Sequence, residues 1–198
     1  PGKPHVDAIE MRIIDSRSTR ILGFVAGEFD MTFDRDITVP LIKDVQAQAP
    51  KAVCQLGPTN VSTNLAVNAA APPFDNPDVR KAMALAIDRQ AFIDILTEGK
   101  AAMGAAMLPG PEGQWALPAE ELKTLPGYGS DVPRNLEHGR KIMAGLGYGP
   151  GKPLKVKVSV RNIAIYRDPA VILIDQLKKI YIDGELEPID TTVWYAKV

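Results

Sequence analysis

The sequence predicts an α/β fold, in which helices pack against a layer of strands. Stretches rich in Val and Ile alternate along the chain with stretches whose apolar residues recur at helical spacing, which is typical of this architecture. Hydrophobic residues make up 45% and charged residues 24% of the 198 residues, proportions that are ordinary for a globular protein. This length accommodates one large domain or two small ones. We expect the boundary between Leu56 and Leu65, where Gly57-Pro58-Thr59 interrupts the pattern.

Five elements are predicted before that boundary. Asp15 or Ser16 is a suitable N-cap for a helix with apolar residues on one side, and Gly27 ends it. A loose alternation rich in Ile and Val predicts a strand over residues 6–14. The remaining elements are a strand at 29–33, a helix at 39–48 and a strand at 51–56.

The segment 64–89 has the most specific local signals in the chain. It starts in a strand predicted over 61–68 and then meets Pro72-Pro73, which cannot donate to a sheet and excludes helix. Asn76 followed by proline is a good helix N-terminus, and Asp88 can cap a second helix directly after the first. The segment therefore predicts a proline-stiffened turn followed by two capped helices.

The second half of the chain predicts a mostly irregular stretch and then a regular α/β alternation. Residues 99–133 are rich in Gly and Pro and predict a largely loop-like segment. The elements predicted after it are a helix at 136–146, a strand at 154–160, a helix from Asp168, a strand at 186–189 and a helix at 191–198.

Composition excludes several classes of function. The 23 Lys and Arg residues nearly balance the 24 Asp and Glu residues, so no overall charge attracts the chain to nucleic acid. Cys54 is the sole cysteine, so no intrachain disulfide can form. No apolar run reaches the roughly 20 residues that span a bilayer. The sequence shows no export leader, and this does not indicate a cytoplasmic location.

No catalytic, metal or cofactor site is predicted. His5 and His138 are isolated, without a second ligand at metal spacing. The glycine-rich stretch 145–152 precedes a strand, whereas a phosphate-binding loop follows a strand and opens a helix. Arg80, Asp88 and Arg89 invite a catalytic interpretation, but their spacing favours a structural role. Three further acids, Asp30, Asp34 and Asp36, are expected to be solvated loop residues.

The segment 64–89 resembles the signature of family 5 of the bacterial extracellular solute-binding proteins. Further segments match the family in the same order: Gly27-Glu28-Phe29-Asp30, Pro109-Gly110, the helix ending in Gly147-Tyr148, and the run from Ile174 to Trp194. The resemblance implies a type II periplasmic binding protein-like α/β fold, here an incomplete two-lobe arrangement. Residues 1–62 would form part of the first lobe. Residues 63–198 would form part of the second, ligand-facing lobe, whose C-terminal portion is missing.

The resemblance also implies a function. Members of this family bind a solute for an ABC importer, so we expect a peptide or another small polar solute and the membrane permease subunits as partners. We expect a location in the periplasm, or export with a lipid anchor, and no enzymatic activity. The family carries peptides, nickel and related solutes, and the resemblance selects none of them. Two alternatives stay open: a sensor or regulatory module on the same scaffold, and a small α/β hydrolase.

Five residues are candidate ligand contacts. Asn64 and Asn68 are four apart, so in a strand they share a face, and each amide offers a donor and an acceptor for a polar solute. The alternative is an asparagine that caps the loop before Pro72. The resemblance adds Met103, Gly104 and Met107, which lie in a loop similar to a cleft-lining element of the family, with ordinary loop packing as the alternative.

The chain departs from the family where its last helix ends. The family usually has glycine at the position of Tyr181, and we expect Gly184 to supply the left-handed residue instead.

Overall fold

A computed structural model describes residues 2–3, 5–33, 36–57, 62–106, 108–109 and 116–197. The chain divides into two compact units, Pro1–Gln55 (unit 1) and Leu56–Val198 (unit 2). Whether these units correspond to the predicted lobes 1–62 and 63–198 stays a prediction. Among the described residues, no helix combines the length and the apolar character needed to cross a membrane.

The described part of unit 1 contains two α-helices. The first, α1 (Arg17–Val25), begins where Ser16 Oγ accepts a hydrogen bond from the Thr19 amide at 3.3 Å. A short 3-10 turn (Val39–Leu41) leads into α2 (Ile42–Gln48). Both helices were predicted and are confirmed. The cap of α1 is a local signal, since its bond joins residues three apart along the chain.

The three strands predicted in unit 1 were wrong. The described residues of 6–14, 29–33 and 51–56 form no strand. Apolar side chains in these segments stay in solvent, among them Ile13 at 96% and Val53 at 94% exposure. A strand needs a hydrogen-bonding neighbour, and the described part of unit 1 supplies none to these segments.

An open depression with a volume of about 900 Å³ lies in unit 1. Phe24 of α1 lines it together with Met31 and Val53, which belong to the segments predicted as strands. The depression is therefore the uncovered apolar side of this unit.

A partly buried ion pair orders unit 1. Arg20 of α1 donates from Nη2 to Asp36 Oδ1 at 2.7 Å and from Nε to both carboxylate oxygens at 3.1 Å. The same guanidinium also donates to the carbonyl oxygens of Ile14 and Asp15. Asp36 is buried, so the expectation of a solvated loop acid was wrong for it. Asp30 is exposed as expected, and Asp34 lies outside the described residues.

Unit 2 begins with two helices and a short hairpin and continues with a βαβ unit. Its elements are α3 (Pro77–Ala86), α4 (Arg89–Thr97), β1 (Gly104–Ala105), β2 (Leu108–Pro109), α5 (Ala119–Leu122), α6 (Val132–Gly145), β3 (Leu154–Arg161), α7 (Ala164–Lys178), β4 (Ile182–Ile189) and α8 (Thr191–Lys197).

The core of unit 2 lies between the parallel pair β3–β4 and helices α3, α6 and α7. Strand β3 runs parallel to β4 from Leu154 opposite Ile182 to Arg161 opposite Ile189. The fully buried side chains include Val79, Met143, Leu177, Ile180 and Ile182. Gly139 lets α6 pack closely against Ile180, because a Cβ on Gly139 would lie only 3.0 Å from Ile180 Cγ2. The predicted α/β alternation is confirmed in this unit.

Three elements of unit 2 start four residues earlier than predicted. Helix α6 starts at Val132, where Asp131 Oδ1 accepts the Arg134 amide at 3.1 Å. Helix α7 starts at Ala164, four residues before the start expected from Asp168, and contains Pro169 in its interior. Strand β4 starts four residues before the predicted start. The strand predicted over 61–68 was wrong, since the described residues there form no ladder.

The left-handed residue after α7 is Tyr181, with φ of +68°, so the expectation for Gly184 was wrong. Gly184 instead lies inside β4, opposite Val156. A Cβ on Gly184 would lie 3.0 Å from Ile174 Cγ1 of α7. The glycine therefore permits close approach of helix and strand, and Tyr181 takes the conformation that glycine adopts most easily.

Candidate functional site

The corner between α3 and α4 is built by side-chain caps. Asn76 Oδ1 accepts the Asp78 amide at 2.9 Å, and Asp88 Oδ1 accepts the Ala91 amide at 3.1 Å. Arg80 donates to the carbonyl oxygens of Phe74 at 2.6 Å and Asp75 at 3.0 Å. Both predicted caps are confirmed, and Arg80 holds the proline-stiffened turn against α3.

Gln176 of α7 forms two hydrogen bonds with the backbone of this corner. Its Oε1 accepts the Asp88 amide at 3.0 Å, and its Nε2 donates to the Asp88 carbonyl at 3.2 Å. The side chain is only 4% exposed. The amide thus pairs with both backbone groups of Asp88. Asp88 lies between α3 and α4 as the N-cap of α4, so its own backbone amide has no partner within either helix. Sequence reasoning missed this role, because the two residues are 88 positions apart.

The two candidate asparagines are exposed and bonded to nearby backbone. Asn64 Nδ2 donates to the Ser62 carbonyl at 3.3 Å. Asn68 Oδ1 accepts the Ala70 amide at 3.1 Å, and the Asn68 carbonyl accepts the Ala71 amide at 3.2 Å. Asn68 therefore caps the turn before Pro72, as in the alternative considered from the sequence. Its Nδ2 has no partner among the described residues, so a donor faces solvent.

The hairpin β1–β2 carries two of the other candidates. Gly104 pairs with Pro109 across the hairpin, and both Met103 and Gly104 are half-buried. A Cβ on Gly104 would lie 3.5 Å from Ser62 Oγ, which is buried and has no hydrogen-bond partner in the described part of the chain. The structure thus brings Gly104 next to the segment that leads into Asn64. Met107 lies outside the described residues.

The chemistry available around these residues is that of binding. The candidates offer amide groups, backbone groups and an apolar thioether, which suit a polar solute with some apolar surface. Within the residues that the structure describes, no group of three or more His, Cys, Asp or Glu side chains could hold a metal ion.

Comparison with known proteins identifies the family. A model of the family described as bacterial extracellular solute-binding proteins, family 5 Middle, matches residues 1–198. The chain belongs to family 5 of the bacterial extracellular solute-binding proteins. One relative is named probable di/tripeptide-binding protein 5 of Pseudomonas aeruginosa (strain UCBPP-PA14). It is 28% identical over 146 residues, which are 73% of this chain and 25% of that protein.

Two solved structures show the same fold. The periplasmic binding protein DppA from Helicobacter pylori, in complex with the peptide STSA, has a TM-score of 0.71 at 23% identity, over 94% of this chain and 33% of that chain. OppA from Haemophilus influenzae, in complex with RPPGFSPFR, has a TM-score of 0.69 at 23% identity, over 93% and 35%. The predicted type II periplasmic binding protein-like α/β fold is confirmed, and this chain spans about a third of the length of these two proteins.

Membership in family 5 fits the corner described above. The residues that carried the resemblance, from the proline turn to Asp88 and Arg89, bond to backbone carbonyls and amides and so act as scaffold. The related proteins are solute-binding proteins by name and not enzymes. The main interpretation from the sequence is therefore favoured over a hydrolase or a sensor.

Proposed function

We propose that this chain is part of the substrate-binding component of an ABC importer. It binds a peptide or a related small polar solute in the periplasm and delivers it to the membrane permease subunits. The observation that carries the proposal is the family match over the whole chain, together with a relative named as a di/tripeptide-binding protein. The component works without catalysis and needs no cofactor.

The proposed mechanism is closure of two lobes over the solute. Residues 1–62 would contribute to one lobe and residues 63–198 to the other, and a solute that contacts both lobes favours the closed state. Exclusion of water and satisfaction of the solute's backbone groups by polar side chains supply the binding energy.

The proposed ligand contacts are Asn64, Asn68, Met103, Gly104 and Met107. Support for Asn68 comes from the different roles of the oxygen and the nitrogen of its side-chain amide. The carbonyl oxygen is used by the Ala70 amide, whereas the amino group is free among the described residues. Asn68 can therefore donate to a solute without giving up its cap.

A variant that separates these two roles tests the proposal. Asn68→Asp keeps an acceptor for the Ala70 amide and removes the donor, so the turn survives and the contact to the solute is lost. Loss of one such bond weakens affinity by about fivefold to tenfold. Isothermal titration calorimetry with trialanine measures the change, and Asn64→Ala tests the second amide in the same assay.

Asn162→Asp is the matched control. Asn162 also uses its Oδ1 as an acceptor, from Arg167 Nη1 at 3.3 Å, and the substitution changes charge by the same amount. We expect trialanine affinity close to wild type for this control. Equal affinity in wild type and Asn68→Asp would remove Asn68 from the site. A wild-type protein that does not bind trialanine would contradict the proposed peptide class.

A further inference from the structure

The hairpin β1–β2 is too short to be stable without contacts from other parts of the chain. Each strand has two residues, paired as Gly104 with Pro109 and Ala105 with Leu108. A hairpin of this size is not stable by itself in water. Ala106, directly after β1, has a φ of +69°, which a residue with a side chain adopts at a cost. Contacts from elsewhere in unit 2 must therefore keep this turn in place.

One such contact comes from Tyr128. Its hydroxyl oxygen accepts the Ala106 amide at 3.2 Å, across 22 positions of sequence. The bond satisfies the amide of the residue whose backbone is left-handed. Tyr128 is itself half-buried, so its ring has a defined place from which the hydroxyl reaches the hairpin.

The place of Tyr128 is set by the α3–α4 corner. The Arg89 guanidinium lies over the Tyr128 ring, with Cζ 3.9 Å from the ring centroid. It also donates to the Gly127 carbonyl at 2.7 Å and to the Ile87 carbonyl at 3.3 Å. Arg89 thus holds the ring by a cation–π contact and the preceding peptide by a charge-assisted hydrogen bond.

Gly127 shows how closely this segment lies against α3. A Cβ built on Gly127 would lie 1.8 Å from the Ala84 carbonyl oxygen, and the residue has a φ of +79°. A residue with a side chain does not fit there. Tyr128 therefore directly follows a residue that packs against α3, a helix that contributes to the core of unit 2.

We infer that Tyr128 is a positioning residue for the ligand-binding hairpin, held by Arg89 and acting through its hydroxyl on the Ala106 amide. The chain of contacts runs from the capped corner through the Tyr128 ring to the turn next to Gly104. The inference rests on the proposed function, because the hairpin carries Met103 and Gly104, which are proposed ligand contacts. Tyr128 does not need to touch the solute for this role.

Tyr128→Phe removes the hydroxyl and keeps the ring under Arg89. The substitution deletes one neutral hydrogen bond, so amide exchange in a peptide covering residues 103–106 is expected to become about three to ten times faster. Hydrogen exchange read by mass spectrometry measures it. Exchange in β3 and β4 is expected to stay unchanged, since the deleted hydrogen bond goes to the Ala106 amide. Tyr195→Phe, at an exposed tyrosine, is the matched control. In this variant, residues 103–106 are expected to exchange at the wild-type rate.

Titration with trialanine tests the link to binding. We expect the affinity of Tyr128→Phe for trialanine to fall by a similar factor of about three to ten, with an unchanged urea midpoint. Unchanged hairpin exchange in Tyr128→Phe would overturn the inference. Faster exchange with unchanged trialanine affinity would overturn the role in binding. A wild-type protein that binds no trialanine would count against the proposed peptide class, and the exchange result would then decide the anchoring alone.

Discussion

Substituting Tyr181 by glycine and, separately, by alanine measures what its left-handed backbone costs. The residue has a φ of +68°, at the turn between α7 and β4. An L-residue pays about 1–2 kcal/mol for this conformation, and glycine pays almost nothing. Both variants lose the tyrosine ring, which packs against the core of unit 2. The difference between the two variants therefore reports the backbone alone.

We expect Tyr181→Gly to be more stable than Tyr181→Ala by about 1 kcal/mol. With a urea m-value of about 2 kcal/mol/M, the unfolding midpoints would differ by about 0.5 M. Tryptophan fluorescence is a suitable signal, because both tryptophans, at positions 115 and 194, fall within the sequence of unit 2. The measurement then follows the unit that contains the substitution.

Val171 provides a control with the opposite sign. It is exposed within α7, where the backbone is helical. There Val171→Ala is expected to be more stable than Val171→Gly by about 1 kcal/mol. If Tyr181→Gly were no more stable than Tyr181→Ala, the turn would not require a left-handed residue at this position. The reasoning that assigns strain to Tyr181 would then fail.

Two further predictions concern the hydrogen bonds between Gln176 and Asp88 and the ionisation of Glu187. Gln176→Leu leaves the part-buried Asp88 amide without its partner and is expected to cost about 2 kcal/mol in urea unfolding. Gln90→Leu at an exposed site should change stability by less than about 0.5 kcal/mol, and equal effects of the two substitutions would contradict the role given to Gln176. Hydrogen bonds from Lys197 and Ser159 lower the pKa of Glu187 from 4.5 to about 2, so its ionised form stabilises the fold above pH 4.5 and this stabilisation is lost as the pH falls through 2. The stability difference between wild type and Glu187→Gln is therefore expected to be larger at pH 6 than at pH 2, and a difference that does not depend on pH would refute the assignment.

The starts of three helices were predictable because their signals are local. The Asn76, Asp88 and Ser16 caps each bond to a backbone amide two or three residues away, so the stabilising partner stands beside the cap in the sequence. Strand β3 was predictable for a related reason, since its alternation reflects one buried face. Strand β4 was found with a late start, because Asp183 and Gly184 interrupt the apolar pattern at its beginning.

Strands in unit 1 were not predictable to the same degree. Alternation of apolar residues indicates that one face of a segment could be buried in a sheet. It does not identify the neighbouring strand with which the segment would pair. In the described part of unit 1 these segments find no such neighbour, so their apolar side chains lie in solvent.

For the candidate site, the sequence indicated the cap made by Asn68 as one of two alternatives, because that bond is local. It could not indicate that Gly104 lies beside Ser62, or that Tyr128 reaches Ala106. These contacts join residues 42 and 22 positions apart, and no spacing rule connects them.

From the sequence alone, the family, the α/β alternation and the capped corner at 76–89 could be established, because each depends on residues that are neighbours along the chain. Tertiary structure decided which residue is left-handed after α7, which polar groups Gln176 satisfies, and what holds the hairpin that bears Gly104. The physical reason is that these features arise when distant segments compete for the same buried space and the same hydrogen-bonding groups. Only packing in three dimensions settles that competition.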